Sequence, residues 1–209
     1  MKRDTKTLLI LAGGRGARFG GDKGLSEFEG TPMVKIAIDA LGPLADDIVV
    51  AVAPGKSKEY SEILAGSAEI VEDSKAHEGP LLGLRDALAR VSGDILMLSA
   101  CDMPYTNSSL YEMLLDRLDA KDAAMPTIGG YNEPIMGVYR LPALRKAVVK
   151  ATSKGEVKLS KMLDDLDFLS ISKEEMIGAG IDPVVFTNLN KPLADGRRLH
   201  ANPSRTHPD

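Results

Sequence analysis

The feature that most constrains this chain is a regular exchange between two kinds of apolar spacing. Short, mostly unalternating apolar runs of strand length stand at 7–12, 47–52, 68–71, 94–99, 123–126, 134–139 and 184–186. Between them, at 32–41, 58–64, 80–91, 108–118 and 143–151, apolar residues recur in steps of three and four, the helical period. In 80–91, for example, Leu81, Leu84, Leu88 and Val91 form one stripe, separated by Arg85, Asp86 and Arg90. Alternating strands and helices build parallel sheets, because parallel strands need crossover connections and bury both of their faces. The predicted fold is therefore an α/β three-layer α/β/α sandwich with a mostly parallel central sheet. The alternation weakens after Tyr139, and 154–180 mixes charge with Leu and Ile in neither spacing. From Ala194 onward almost no apolar residue remains, which predicts one domain over 1–193 and a disordered tail over 194–209.

Charge and cysteine content narrow the function. A formal net charge of -4 argues against general nucleic-acid or anionic-membrane binding, so a grip on phosphate has to come from a local basic cluster. The single cysteine, Cys101, allows no intrachain disulfide and fits a reducing compartment. The first apolar run breaks into glycines, and no run approaches the ~18 apolar residues that span a bilayer. A soluble, cytoplasmic protein is expected.

The basic cluster stands in Leu-Ala-Gly-Gly-Arg-Gly-Ala-Arg-Phe-Gly-Gly-Asp-Lys, residues 11–23, directly after the first strand-like run. Gly13, Gly14, Gly16, Gly20 and Gly21 let backbone N–H groups turn inward and let a phosphate approach without a Cβ in the way. Arg15, Arg18 and Lys23 outweigh Asp22, so a polyphosphate is the natural partner. A flexible glycine turn with solvated charges is the plainer alternative. A dinucleotide fingerprint would need an acid closing a second strand ~20 residues on, whereas Asp39 falls inside a predicted helix. A Walker A loop would need Ser or Thr after the lysine, and Gly24 stands there.

The stretch resembles the pattern L-A-G-G-x-x-x-R-[MF]-G-x-D-K of the molybdenum cofactor guanylyltransferases, within the wider nucleotidyltransferase group. It matches at Leu11, Ala12, Gly13, Gly14, Arg18, Phe19, Gly20, Asp22 and Lys23. The resemblance continues in order through Glu72-Asp73, Gly79-Pro80-Leu81-Leu82-Gly83-Leu84, Cys101-Asp102-Met103-Pro104, Glu133-Pro134 to Tyr139-Arg140 and Asn188-Leu189-Asn190. It implies a Rossmann-like nucleotidyltransferase fold and transfer of GMP from GTP to the phosphate of molybdopterin, with release of pyrophosphate. Transient contacts with other proteins of molybdenum cofactor biosynthesis would follow. A related transferase using CTP or another acceptor, such as cobinamide or a sugar or polyol phosphate, is the neighbouring alternative. A nucleotide-binding protein without turnover is another.

Under this resemblance Leu11, Ala12, Gly13, Gly14 and Lys23 bind the nucleotide, and Arg18 and Lys23 neutralise phosphate charge. Asp102, at the carboxyl end of a predicted strand, is expected to hold Mg²⁺, because magnesium takes one or two carboxylates plus phosphate oxygens. Read without the family, it is a solvated turn aspartate. Asp73 is expected near the nucleotide or, alternatively, in a capped turn. Gly79, Pro80 and Leu81 open a helix and are implied to contact the base. Asn188 and Asn190, expected at a further strand end, and Asn132 are implied on the substrate side. Lys191 departs from the family there, standing where threonine is usual. Cys101 reads as packing in preference to a nucleophile, since no histidine has an evident route to it. His77 falls in a loop, and His200 and His207 fall in the tail.

Overall fold

A computed structural model of the chain describes residues 3–13, 22–74 and 79–187. Its main sheet contains β1 (Lys6–Leu11), β4 (Asp47–Val52), β5 (Glu69–Glu72), β6 (Ile95–Ala100), β7 (Ala123–Ile128), β8 (Tyr131–Asn132), β9 (Val138–Arg140) and β10 (Phe168–Ser172). The strand order is β10-β7-β9-β6-β1-β4-β5, with β8 paired to β7. All neighbours run parallel except β9, which is antiparallel to both β6 and β7, and the short β8. A separate hairpin pairs β2 (Glu27–Phe28) with β3 (Thr31–Pro32).

Side-chain alternation divides the core in two. In β1, Leu8 and Ile10 point to one face while Leu9 points to the other, the period of two that a pleated strand imposes. The first face is covered by α1 (Met33–Leu41), α2 (Ser57–Leu64), α4 (Ser108–Arg117) and α6 (Lys173–Gly178), through residues such as Val34, Tyr60, Leu114 and Met176. The second is covered by α3 (Pro80–Leu88) and α5 (Leu141–Ser153), through Leu81, Leu84, Leu144 and Val148. These layers make the expected sandwich. No helix among the described residues is long and apolar enough to cross a membrane.

Two local expectations need correction, and the structure assigns one stretch that the sequence left open. The run 184–186 is part of a 3-10 turn, Pro183–Phe186, in place of a strand. Pro183 favours a helical start, and the Asp182 side chain accepts from the Val184 N–H at 2.9 Å. Within 134–139, Pro134–Met136 is a 3-10 turn and only Val138 and Tyr139 enter β9. The unassigned stretch holds β10 and α6, whose start is a capping box: Ser172 and Glu175 bond each other's backbone N–H. The tail 194–209 lies outside the described residues.

β1 sits between β4 and β6: the chain leaves β1 through α1 on one face to reach β4, and leaves β5 through α3 on the other face to reach β6. A crevice opens outside the strands at such a switch point.

Candidate active site

At that crevice lies a cavity of about 460 Å³. Leu11 ends β1 and Gly13 follows it, β4 supplies Ala51, and Asp73 and Ser74 follow β5. β6 delivers Ala100, Cys101 and Asp102, while Gly79, Pro80, Leu82, Gly83 and Asp86 come from the start of α3. Ile135 and Leu159 add an apolar wall, and Lys23 closes the site from the turn before β2.

Of the ten expected site residues that are described, seven line one cavity: Leu11, Gly13, Lys23, Asp73, Gly79, Pro80 and Asp102. Ala12 and Leu81 do not. The Ala12 side chain is buried in the first core, with its N–H bonded to the Ala51 carbonyl at 2.7 Å. Leu81 is fully buried against the sheet. Asn132 is also absent from the lining: its Oδ1 accepts from Thr127 Oγ1 at 2.8 Å and Ser170 Oγ at 2.7 Å, fastening β8 to β10. Gly14, Arg18, Asn188 and Asn190 lie outside the described residues.

The charged centre is an ion pair between Lys23 Nζ and Asp102 Oδ2, with side chains only 17% and 18% exposed. Partial burial strengthens such a pair by removing water from around it. A second clasp joins the same two loops, because Phe28 and Tyr105 meet edge to face with centroids 5.4 Å apart.

On the other side of the cavity, the Asp73 carboxylate is wedged between two glycines. A Cβ on Gly13 would stand 2.5 Å from Asp73 Oδ2, and one on Gly83 would stand 3.1 Å from Oδ1. Burial, with the neighbouring Asp86 charge added, pushes the Asp73 carboxyl up to about 6. Its Oδ1 is buried with no hydrogen-bond partner among the described residues. Asp86 behaves in the opposite way. Burial pushes it up, but bonds from Ser74 and the adjacent Arg85 guanidinium outweigh that and hold it below its ordinary range.

The start of α3 offers the cavity few free backbone donors. Its N–H groups are already in use: Leu81 N–H donates to Val157 O at 3.1 Å, and Leu82 N–H to Gly79 O at 3.2 Å. Gly79 has φ +118°, and a Cβ there would lie 2.8 Å from Val157 O. The segment before Leu159 therefore clamps this helix start, and Pro80, Leu82 and Gly83 offer surface to the cavity in place of free amides.

Cys101 is 4% exposed and packs in the first core, where burial, then Asp102 and Asp22, push its thiol far up. A thiol so held is a poor nucleophile. No group of three or more His, Cys, Asp or Glu that could hold a metal occurs among the described residues. Sequence reasoning missed Asp86, Val157 and the Phe28–Tyr105 clasp, which are joined only by the fold. It also missed Tyr60, whose phenol donates to Asp22 Oδ1 at 2.6 Å. An Asp-Lys-Gly turn was a visible signal for Asp22, and nothing local marked Tyr60.

The chain shares 30% identity over 186 residues with a probable molybdenum cofactor guanylyltransferase of Bacillus licheniformis, covering 88% of this chain and 91% of that one. With a molybdenum cofactor guanylyltransferase of Shewanella piezotolerans it shares 33% over 188 residues, covering 88% and 87%. A crystal structure of molybdopterin-guanine dinucleotide biosynthesis protein A from Archaeoglobus fulgidus has the same fold, with a TM-score of 0.71 at 22% identity over 89% of this chain and 93% of that one. A family model described as the MobA-like NTP transferase domain matches residues 8–168, well over half the chain, so this protein belongs to the MobA-like NTP transferase family.

Proposed function

We propose that this protein transfers GMP from GTP to the terminal phosphate of molybdopterin, releasing pyrophosphate and forming the guanine dinucleotide cofactor. The observation that carries the reading is the meeting of Lys23 and Asp102 in one cavity at the sheet's switch point. The relatives are named molybdenum cofactor guanylyltransferases, which supports a guanylyl donor and a molybdenum cofactor acceptor.

In the reaction, an oxygen of the acceptor phosphate forms a bond to the α-phosphorus of GTP. The bond from that phosphorus to the bridging oxygen breaks, and its electron pair leaves with pyrophosphate. The acceptor oxygen is already ionised, so no strong general base is required. What the protein must supply is alignment of two anions and neutralisation of their charge. Lys23 directs its ammonium to the phosphates and offsets the charge gathering on the departing pyrophosphate. Arg18 assists from the same loop. Leu11, Gly13 and Gly14 let the backbone come close to the nucleotide, and Gly79, Pro80 and the apolar wall of Ile135 and Leu159 flank the base. Asp73 faces the nucleotide from the end of β5, and the family resemblance assigns Asn188 and Asn190, which lie outside the described residues, to the acceptor.

The donor set fits Mg²⁺. One partly buried carboxylate beside a triphosphate site suits an ion that takes its remaining ligands from phosphate oxygens and water, whereas an all-protein cage would need more acids. Asp102 would hold the ion, which supplies charge neutralisation at the α-phosphate when bound. The reducing cytoplasm is the compartment that this reading implies, in keeping with the free Cys101 thiol.

Pyrophosphate release, assayed with GTP, ATP and CTP against molybdopterin in the presence of Mg²⁺, tests the proposal. Turnover with GTP alone is expected. Equal use of CTP would move the protein to cytidylyl transfer, and absence of turnover with molybdopterin would remove the acceptor.

A further inference from the structure

Tyr60 is fully buried on α2, with its ring in the first core. A phenylalanine would fill that place equally well, and a buried phenol needs a partner for its hydroxyl. The partner lies outside the core. Tyr60 Oη donates to Asp22 Oδ1 at 2.6 Å, and the same oxygen accepts from Gly24 N–H at 2.9 Å and Leu25 N–H at 3.4 Å. Lys23 is the residue enclosed by these bonds.

The rest of the turn is held just as closely. Asp22 O accepts from Ser26 N–H at 3.1 Å and Ser26 Oγ at 2.8 Å, while Gly24 O and Ser26 O accept from Val34 and Met33 N–H at the start of α1, both at 3.0 Å. A Cβ on Gly24 would stand 2.3 Å from Tyr60 Oη, so the turn's backbone rests directly on the phenol. Burial pushes the phenol far up, which keeps it a donor at any working pH.

We propose that Tyr60 is a positioning residue for nucleotidyl transfer, fixing through Asp22 the turn that presents Lys23 to the phosphates. This rests on the proposed function. The hydroxyl touches no substrate; its effect is to remove the freedom of the backbone on both sides of Lys23. Charge-assisted bonds of this kind are short and strong, and a displacement of about 1 Å in a reacting centre is enough to cost on the order of a hundredfold in rate.

Tyr60→Phe removes one oxygen and keeps the ring in the core. Two measurements are made on the full chain: amide hydrogen exchange at Gly24 and Leu25, and steady-state pyrophosphate release with GTP and molybdopterin. The expected result is faster exchange at those two amides, with kcat lowered on the order of ten- to a hundredfold and KM for GTP little changed. In a Lys23→Ala background the same substitution should lower kcat no further, because there is no ammonium left to position. Asp22→Asn, which keeps Oδ1, should retain more turnover than Asp22→Ala. Unchanged exchange in Tyr60→Phe overturns the proposal whether or not turnover is seen. So does an equal fractional loss in the wild-type and Lys23→Ala backgrounds, the signature of a general packing defect. Failure of the functional reading looks different: wild-type protein inert toward GTP and molybdopterin, with exchange at the turn still responding to Tyr60→Phe.

Discussion

Lys23 pairs with Asp102 across 79 residues of sequence, Asp102 standing just past the carboxyl end of β6 and Lys23 in the turn before β2. A cation and an anion held together in a partly buried site satisfy each other. The pair keeps both side chains in place without leaving either charge exposed to an apolar wall.

Lys23→Ala is expected to lower pyrophosphate release on the order of a hundredfold or more, with a smaller loss of GTP affinity, because the ammonium acts on charge that develops during transfer. Steady-state kinetics and GTP titration at constant magnesium and salt measure both. A solvated lysine would shift stability by less than ~0.5 kcal/mol and leave turnover unchanged.

Asp102→Asn should abolish turnover at saturating magnesium while the fold persists, since a neutral amide is a poor ligand for a hard cation. Circular dichroism and thermal unfolding establish the fold, and the same kinetic assay reads the loss. Near-normal turnover in the folded variant would remove Asp102 from the metal site.

Asp73 makes stability depend on pH. Its carboxyl moves from an ordinary 3.8 in the unfolded chain to about 6 in the fold. The folded protein therefore binds more protons than the unfolded one between these values, and the stability this contributes, complete below the lower one, is lost as pH rises through the upper. Asp73→Asn removes the titration. The stability of that variant relative to wild type should rise between pH 4 and 7 by about 1–2 kcal/mol, after discounting for solvent screening. Denaturant unfolding at a series of pH values measures it, and a pH-independent difference would contradict the burial of this carboxyl.

Gly13→Ala places a methyl group against Asp73 Oδ2. Overpacking of this kind costs about 1–3 kcal/mol, and here it also displaces a carboxylate from the cavity. The double variant Gly13→Ala, Asp73→Ala should recover part of the lost melting temperature, because the clash has then lost its partner. Strict additivity of the two single changes would show that the crowding lies elsewhere.

Cys101→Ala should keep its activity and lose about 1 kcal/mol of stability, since a small buried side chain leaves a small void. Loss of turnover in a folded variant would assign the thiol a chemical part that its burial argues against.

The sequence by itself determined the layers and the edge at which the site stands. Periodicity is a local property: Leu8, Leu9 and Ile10 alternate between faces wherever β1 is placed, and Leu81, Leu84 and Leu88 form a stripe on any helix they occupy. Strand ends were legible for the same reason, so Gly13 and Asp102 could be assigned to one edge. Where periodicity is absent it misleads, as at 184–186, where three apolar residues follow a proline and form a 3-10 turn. The capping box at Ser172 and Glu175 was written in the chain as S-x-x-E, but too few apolar residues follow it to signal the short α6. What only the tertiary structure decided is which distant groups meet: the Asp73 carboxylate between Gly13 and Gly83, Val157 over Gly79, and the Tyr60 phenol under the turn of Lys23. Those meetings depend on the order of strands in the sheet, which is set by the packing of all the layers at once. No local spacing carries that information.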